Sequence, residues 1–339
     1  MPGIYDTAVL TGVVNSLQVP PQFLTGTFFP TQITEESEEI HFDVEKDVMK
    51  LAPFVSPLVE GATVTDAGFT TNTFKPAYIK QKTPLNAASS LKRVMGEQLL
   101  GTLSASQRAV VRSNKAMEDH KKMIMRRLEW MASSILRTGS VTVSGEKYPS
   151  VTVNFGRNNA LTVTLSGGTR WGQTGVNPLQ SLQAWSDLIL QNSGSPVYNV
   201  VMGVGAWNIF KENETVQKRL EVQRALAQPP TMKQDAINML GAVYQGTIDG
   251  FPIWVYNHTW STDAGASQPM IPANTVLMVG DLMGYQQYGA ILDFESLQAV
   301  PIFAKSWEEN DPSTRVILTQ SAPLLVPYRV NASFCATVA

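Results

Sequence analysis

One amphipathic run, residues 105–137, constrains this chain more than any other stretch. Val110, Met117, Ile124, Leu128, Met131 and Ile135 recur at steps of seven, four and three, which puts them on one face of a helix. Arg108, Arg112, Lys115, Asp119, Lys122, Arg126 and Glu129 take the other faces. Ser104 or Ser106 is placed to cap its start, and Gly139 to stop it. At 1.5 Å per residue such a helix is about 50 Å long. A compact chain of 339 residues is itself about 50 Å across. One helix therefore spans the molecule, as a backbone from which the other parts hang.

Only 16% of the residues are charged and the net charge is −2, where globular proteins average about 25% charged. Sparse charge suits a surface covered by partners. A near-neutral chain also lacks the electrostatic footprint of a nucleic-acid or membrane-surface binder. The single cysteine, Cys335, excludes an internal disulfide or a thiolate metal cluster and reads as a buried structural thiol. No basic, apolar leader opens the sequence, and no run approaches the roughly 20 apolar residues of a membrane span. A soluble protein of a reducing compartment is expected.

Residues 1–30 combine prolines with exposed-looking aromatics. A short helix fits Thr7 to Leu17, and the rest reads as an extended arm whose Phe23, Phe28 and Phe29 need a surface to lie on. Residues 31–51 are acidic, with Glu35, Glu36, Glu38 and Glu39 leading into a strand in which Ile40, Phe42 and Val44 alternate with polar residues. Next come two threonine-rich runs, Phe54 to Val64 and Phe69 to Lys82, around the turn signal Asp66-Ala67-Gly68. Neither run has a consistent apolar face, and Pro76 and Pro84 rule out a central strand. A hairpin with arms of about 40 Å and no core of its own needs a neighbour. Lys75, Lys80 and Lys82 make its return arm positive, suited to an acidic edge such as residues 35–47 of another subunit.

After the long helix, strands are expected at 141–143, 151–155 and 161–165. From Leu179 the pattern alternates α and β: helices at 180–191, from Trp207, at 215–227 and at 231–241, and strands at 197–202, 253–256 and 275–279. Residues 307–318 and 324–338 are expected to return to the sheet of 141–165. Two units follow: an α/β one at about 180–300, and another built on the long helix with strands from both chain ends.

A search for chemistry finds none. His41, His120 and His258 show no metal-ligand spacing, and His120, on the polar side of the long helix, is expected to be solvated. Gly203-Val-Gly205 lies between strand and helix, but Asn208 stands where a dinucleotide fingerprint has its third glycine, so a tight turn is expected. Gly167-Gly168 is followed by no helix N-terminus able to hold phosphate. The basic excess of the long helix, Arg126 and Arg127 included, lacks the interleaved aromatics of a nucleic-acid face and is expected to meet acidic elements such as 35–47.

An arm, a coreless hairpin, a spine helix, a split sheet and an α/β insertion, in that order, resemble the Hong Kong 97-type fold of tailed-phage major capsid proteins. The resemblance is closer to the lambda-type branch, the phage major capsid protein E family. It is carried by Ala52-Pro-Phe-Val-Ser-Pro-Leu-Val59, Phe74-Lys-Pro-Ala-Tyr-Ile-Lys80, Ser166-Gly-Gly-Thr-Arg-Trp171 and Gln320-Ser-Ala-Pro-Leu324. It implies an α+β chain with an N-terminal arm (1–30), a peripheral-domain strand (31–52), an extended loop over an adjacent subunit (53–84), a peripheral domain (85–178) with spine helix 105–137, an axial domain (179–300), and a return to the peripheral sheet (301–339).

The implied function is structural, with no enzymatic step, cofactor or metal: self-assembly into the hexamers and pentamers of an icosahedral shell around double-stranded DNA held without sequence-specific contacts. An encapsulin-like nanocompartment shell is the alternative. The implied partners are other copies of the chain, a separate scaffold protein, a portal at one vertex and a decoration protein. The implied place is the virion, after assembly in the bacterial cytoplasm. Some members cross-link loop lysines to a neighbour; here no matched Asn and Glu can be placed, and cross-linking is not expected. Phe69, Phe74 and Tyr78 are expected as apolar contacts of the loop with a neighbouring subunit, and Phe23, Phe28 and Phe29 as those of the arm.

Overall fold

A computed structural model describes residues 5–20, 22–45, 69–95, 97, 103–145, 148–225, 241–262, 265–294, 299–311 and 313–339. The turn at 66–68, the run 54–64, the segment 52–59 and the helix expected at 231–241 lie outside them.

The arm is folded, not extended. Helix α1 (Thr7–Ser16) is capped by Asp6, whose carboxylate accepts from the Ala8 amide at 3.0 Å, and α2 (Phe23–Phe28) follows after the Pro20 region. Strand β1 (Thr31–Thr34) then leads to β2 (Ile40–Glu45) and β3 (Phe69–Phe74), which pair antiparallel with Ile40 opposite Phe74. The hairpin's outgoing arm therefore starts at Ile40, not near residue 53. Strand β4 (Ile79–Asn86) is no part of it: it forms the edge of another sheet, the position Pro84 permits. Lys80 and Lys82 accordingly lie on β4 and not on the loop.

Past the short α3 (Ala87–Leu91), the spine α4 runs from Ala105 to Thr138. Ser104 and Gln107 form a reciprocal capping box at its start, and Gly139 closes it in the left-handed conformation at φ 67°. Arg157 completes the stop: its guanidinium donates to the Leu136 carbonyl at 2.7 Å and to that of Arg137. Burial pulls its pKa down to about 10. Met117, Ile124, Leu128, Met131 and Ile135 are buried as their spacing predicts; Val110, near the exposed start, is half-buried.

Strands β5 (Ser140–Gly145) and β6 (Tyr148–Asn154) form a separate hairpin, followed by β7 (Thr162–Thr164). Helix α5 (Pro178–Ser193), β8 (Asn199–Gly203), α6 (Val204–Glu212) and α7 (Glu214–Ala225) come next. Gly203 and Gly205 serve the tight turn expected there. A Cβ at Gly203 would lie 2.5 Å from the carbonyl oxygens of Pro272 and Ala273, and one at Gly205 would meet the Asn274 side chain. Both glycines admit the chain's own backbone, which leaves no phosphate cradle.

Strands β9 (Ala242–Ile248) and β10 (Phe251–Tyr256) join through Asp249-Gly250, both at positive φ. After β11 (Thr259–Ser261), β12 (Ser267–Pro269), β13 (Thr275–Val279) and β14 (Gly284–Tyr288), the chain ends in β15 (Phe303–Asn310), β16 (Ser313–Ser321), β17 (Pro323–Pro327) and β18 (Ser333–Thr337).

The central sheet has the order β7-β18-β13-β8-β10-β9. Its inner strands β18, β13, β8 and β10 are buried on both faces and so read as continuous apolar runs, whereas the edge strands β7 and β9 alternate. Val201, Leu277 and Cys335 face the core that contains α4 and the arm; Val200, Met202, Val276, Met278, Phe334 and Ala336 face the core under α5 and α6. Two smaller sheets, β1-β14-β17 and β15-β16-β4, complete the frame. The chain's end thus divides. Among the described residues only β18 reaches the strands expected at 141–165, through β7, and it does so inside the α/β sheet; β15 and β16 pair with β4 instead.

Candidate assembly surface

The spine helix grips the arm with two ionisable side chains, the half-buried Lys121 and the buried Glu129. Lys121 directs its ammonium at the end of α1, donating to the carbonyls of Val14, Asn15 and Leu17 at 2.9, 3.0 and 2.7 Å. These are the acceptors that a helix end leaves open. Two turns along, the fully buried Glu129 takes the start of α2. Its carboxylate accepts from the amides of Leu24 and Thr25, both at 2.9 Å, from the Thr25 hydroxyl at 2.8 Å, and from Tyr256 of β10 at 2.7 Å. Burial pushes the Glu129 carboxyl above its ordinary pKa, and the four donors pull the other way. Burial likewise lowers the Lys121 ammonium.

Around this grip the arm's aromatics are interior. Phe23 lies 5.0 Å, centroid to centroid, from Trp254 and 6.2 Å from Tyr256; Phe23, Phe28 and Phe29 are all at most 5% exposed. Thr11 and Asn15 add hydrogen bonds to the backbone of Ala304 and Ile302. The expectation that Phe23, Phe28 and Phe29 anchor the arm on another subunit is therefore corrected: they anchor it on its own. Their hydrophobicity was a true signal of burial, and sequence cannot say in which copy. Glu129, placed by its spacing on a polar face, is the most informative residue missed. Its only sequence trace is a carboxylate one position after the apolar Leu128.

The second region is the hairpin root. Glu38 pairs with Lys75 in the same chain, and this hydrogen bond raises the Lys75 pKa. Glu35 accepts from the Gln287 amide side chain and the His41 backbone. The acidic run and the loop lysine, expected to meet between subunits, thus meet partly within one. Tyr78 donates to the Ala290 carbonyl at 3.0 Å and accepts from the Leu292 amide at 3.1 Å. The Lys80 ammonium lies 5.0 Å from the Tyr78 ring. Phe74 is half-buried against the core, and the side chain of Phe69 lies outside the described residues. Glu36, Glu39, Lys80 and Lys82 remain exposed without an ion pair among the described residues.

Along the spine the basic residues find local partners. Arg108 grips Glu97 through contacts of 2.7–3.1 Å, which hold the Glu97 carboxyl below its usual range. Lys115 reaches Asp119 at 3.1 Å, and Lys122 pairs with Glu118. Arg126 and Arg127 are exposed and form no ion pair among the described residues; Arg127 lies over the Trp130 ring at 5.3 Å. His120 is buried, not solvated: β4 covers it, and its Nε2 is 2.8 Å from the Thr83 hydroxyl. Burial lowers its pKa. Among the described residues no cluster of three or more His, Cys, Asp or Glu could hold a metal ion, and no helix is long and apolar enough to cross a membrane.

Comparison with known proteins agrees with this architecture over nearly its whole length. The family model described as phage major capsid protein E matches residues 6–338. The chain is 26% identical over 337 residues to the major capsid protein of Escherichia phage lambda, covering 95% of this chain and 96% of that one. It is 25% identical over 336 residues to the major capsid protein of Escherichia phage N15, with the same coverage. Among solved structures, a prophage capsid protein of Escherichia coli CFT073 superposes with a TM-score of 0.77 at 18% identity, over 98% of this chain and 99% of that one. The capsid of Ralstonia phage GP4 gives 0.55 at 11% identity, over 96% and 93%.

Proposed function

The chain belongs to the phage major capsid protein E family, and on that premise we propose that it forms the hexamers and pentamers of the icosahedral head of a tailed double-stranded DNA phage. As a major capsid protein it assembles with its own kind into a shell, and its place is the virion capsid. The single observation that carries the reading is the end-to-end match: arm, hairpin root, spine and α/β unit all fall within one family.

The finer reading adds a separate scaffold protein, a portal at one vertex, a decoration protein, and DNA enclosed without sequence-specific contacts, with assembly in the bacterial cytoplasm. Sparse charge and near neutrality support enclosure without base recognition. Glu36, Glu39, Lys80, Lys82, Arg126 and Arg127 are the exposed charges offered for contacts between copies, because they form no ion pair among the described residues. Each such contact is individually weak, and closed symmetry makes many of them sufficient.

Electron microscopy of particles from cells making this chain, alone and with its genomic neighbours, tests the proposal. Closed shells or capsomer rings are expected, and a requirement for a neighbour would mark an external scaffold. A soluble monomer under every condition contradicts it.

A further inference from the structure

Two apolar features stand at opposite ends of the sheet β1-β14-β17. At one end β14 runs into a tight loop that presents Phe294 fully exposed and Leu292 largely so. This tip is held from below. Tyr78 clasps the backbone of Ala290 and Leu292, the Ala290 amide donates to the Ser37 carbonyl at 3.0 Å, and Asp293 pairs with Lys305 at 2.6 Å. An exposed phenylalanine on a tethered loop is not a frayed end; it is a projection.

At the other end of β14 lies a recess of about 460 Å³, walled in part by Ile33, Tyr198, Met283 and Tyr285. A cleft of that size lies in the range that admits drug-sized ligands, so two side chains fit. Ile33, Tyr198 and Met283 are each 41–54% exposed. Met283 adopts φ 47°, a left-handed conformation that costs an unbranched side chain energy and concentrates at functional surfaces. The other non-glycine at positive φ, Asp249, is explained by its hairpin turn. The loop that holds Met283 is fixed by hydrogen bonds from Asp281 to Ser195 at 2.7 Å and from Arg329 to Leu282 at 3.0 Å.

Tip and recess are separated by the five-residue strand β14, about 17 Å, so the tip of one chain does not reach its own recess. Their charges are complementary too. Lys80 stands exposed at the foot of the tip, Asp281 lines the recess, and neither has an ion-pair partner among the described residues. A projection and a hollow on one chain give a head-to-tail contact, the kind that closes into rings.

We propose that the Leu292–Phe294 tip of one copy seats in the recess of Ile33, Tyr198, Met283 and Tyr285 on the next copy, with Lys80 facing Asp281. This rests on the shell reading and names one of its contacts. The tip adjoins the hairpin root, so the contact is continuous with the loop expected to lie over a neighbour.

The test uses the full chain carrying both Phe294→Cys and Met283→Cys, treated with a short thiol-reactive cross-linker after assembly. Cys335 is buried and leaves a low background. A ladder of multimers from assembled particles of the double variant, absent from either single variant, is expected. Phe294→Ala should raise the concentration needed for assembly about tenfold, without changing the circular dichroism of the free subunit. Shells that form with no ladder, or a Phe294→Ala chain that assembles like wild type, overturn the contact while leaving the shell reading intact. A ladder to a different protein also overturns it. A wild-type chain that never forms shells overturns the shell reading, and the contact with it.

Discussion

The arm and the hairpin root both tie the first eighty residues to strands more than two hundred positions away, and they do so by different physics. The arm is held mostly by buried groups: aromatic rings against Trp254 and Tyr256, and the Glu129 carboxyl on the start of α2, with the half-buried Lys121 ammonium on the end of α1. The root is held by partly exposed pairs, Glu38 with Lys75 and Lys305 with Asp293, and by one tyrosine hydroxyl. Buried contacts lock a segment to its own subunit, whereas exposed ones leave surface for a neighbour. The difference sorts the candidate contacts: the arm's phenylalanines are buried in their own subunit, and the exposed charged and apolar residues near the root are the ones proposed above for contacts between copies.

The largest effect that can break this contrast is expected at Phe23. Phe23→Ala should cost the free subunit about 3–5 kcal/mol in urea unfolding, the usual cost for a buried phenylalanine. An unchanged subunit with defective shells would return Phe23 to the interface. Glu129→Ala comes next. It strands four buried donors and should cost about 3 kcal/mol, with cleavage of the arm by limited proteolysis preceding cleavage of the spine. Phe74→Ala should cost the subunit only about 1.5 kcal/mol, because the ring is half-buried, and weaken capsomers more than monomers.

A smaller effect is linked to pH. Burial raises the Glu129 pKa, so the folded chain binds this proton more tightly than the unfolded one. Its contribution to stability is then fully present below the unfolded-state value, about 4.3, and declines as pH rises toward the raised folded value. Comparing urea midpoints of wild type and Glu129→Gln across that interval should show a decline in wild type that the variant lacks; parallel curves would mean that the four donors outweigh burial. Smallest of all, Arg126→Glu with Arg127→Glu should shift subunit stability by no more than about 0.5 kcal/mol. Normal particles from that pair would remove both arginines from the interface.

The spine was legible because its signals are local: a periodic stripe, a serine cap and a stopping glycine all lie within one run, and α4 ends within a residue of the expected bounds. The β9–β10 hairpin was equally local, and Asp249-Gly250 between apolar runs could have revealed it. Pairings that join distant residues were not legible. Nothing in Ile79–Asn86 announces β16 as its partner, and a half-polar strand directly after a hairpin arm reads as more hairpin. His120 and Glu129 failed for a related reason. Sequence places a polar residue on the solvent side unless its hydrogen-bond partners are visible, and Thr83, Thr25 and Tyr256 come from elsewhere in the chain.

Hydrogen exchange on the free subunit and on assembled shells tests the contrast most directly. The amides of Leu24 and Thr25, bonded to Glu129, should be protected in both states, whereas that of Phe294, at the exposed tip, should gain protection only in shells. Free exchange of the arm amides in the isolated subunit, with protection appearing only on assembly, would contradict the account: the arm would then belong to the neighbour after all.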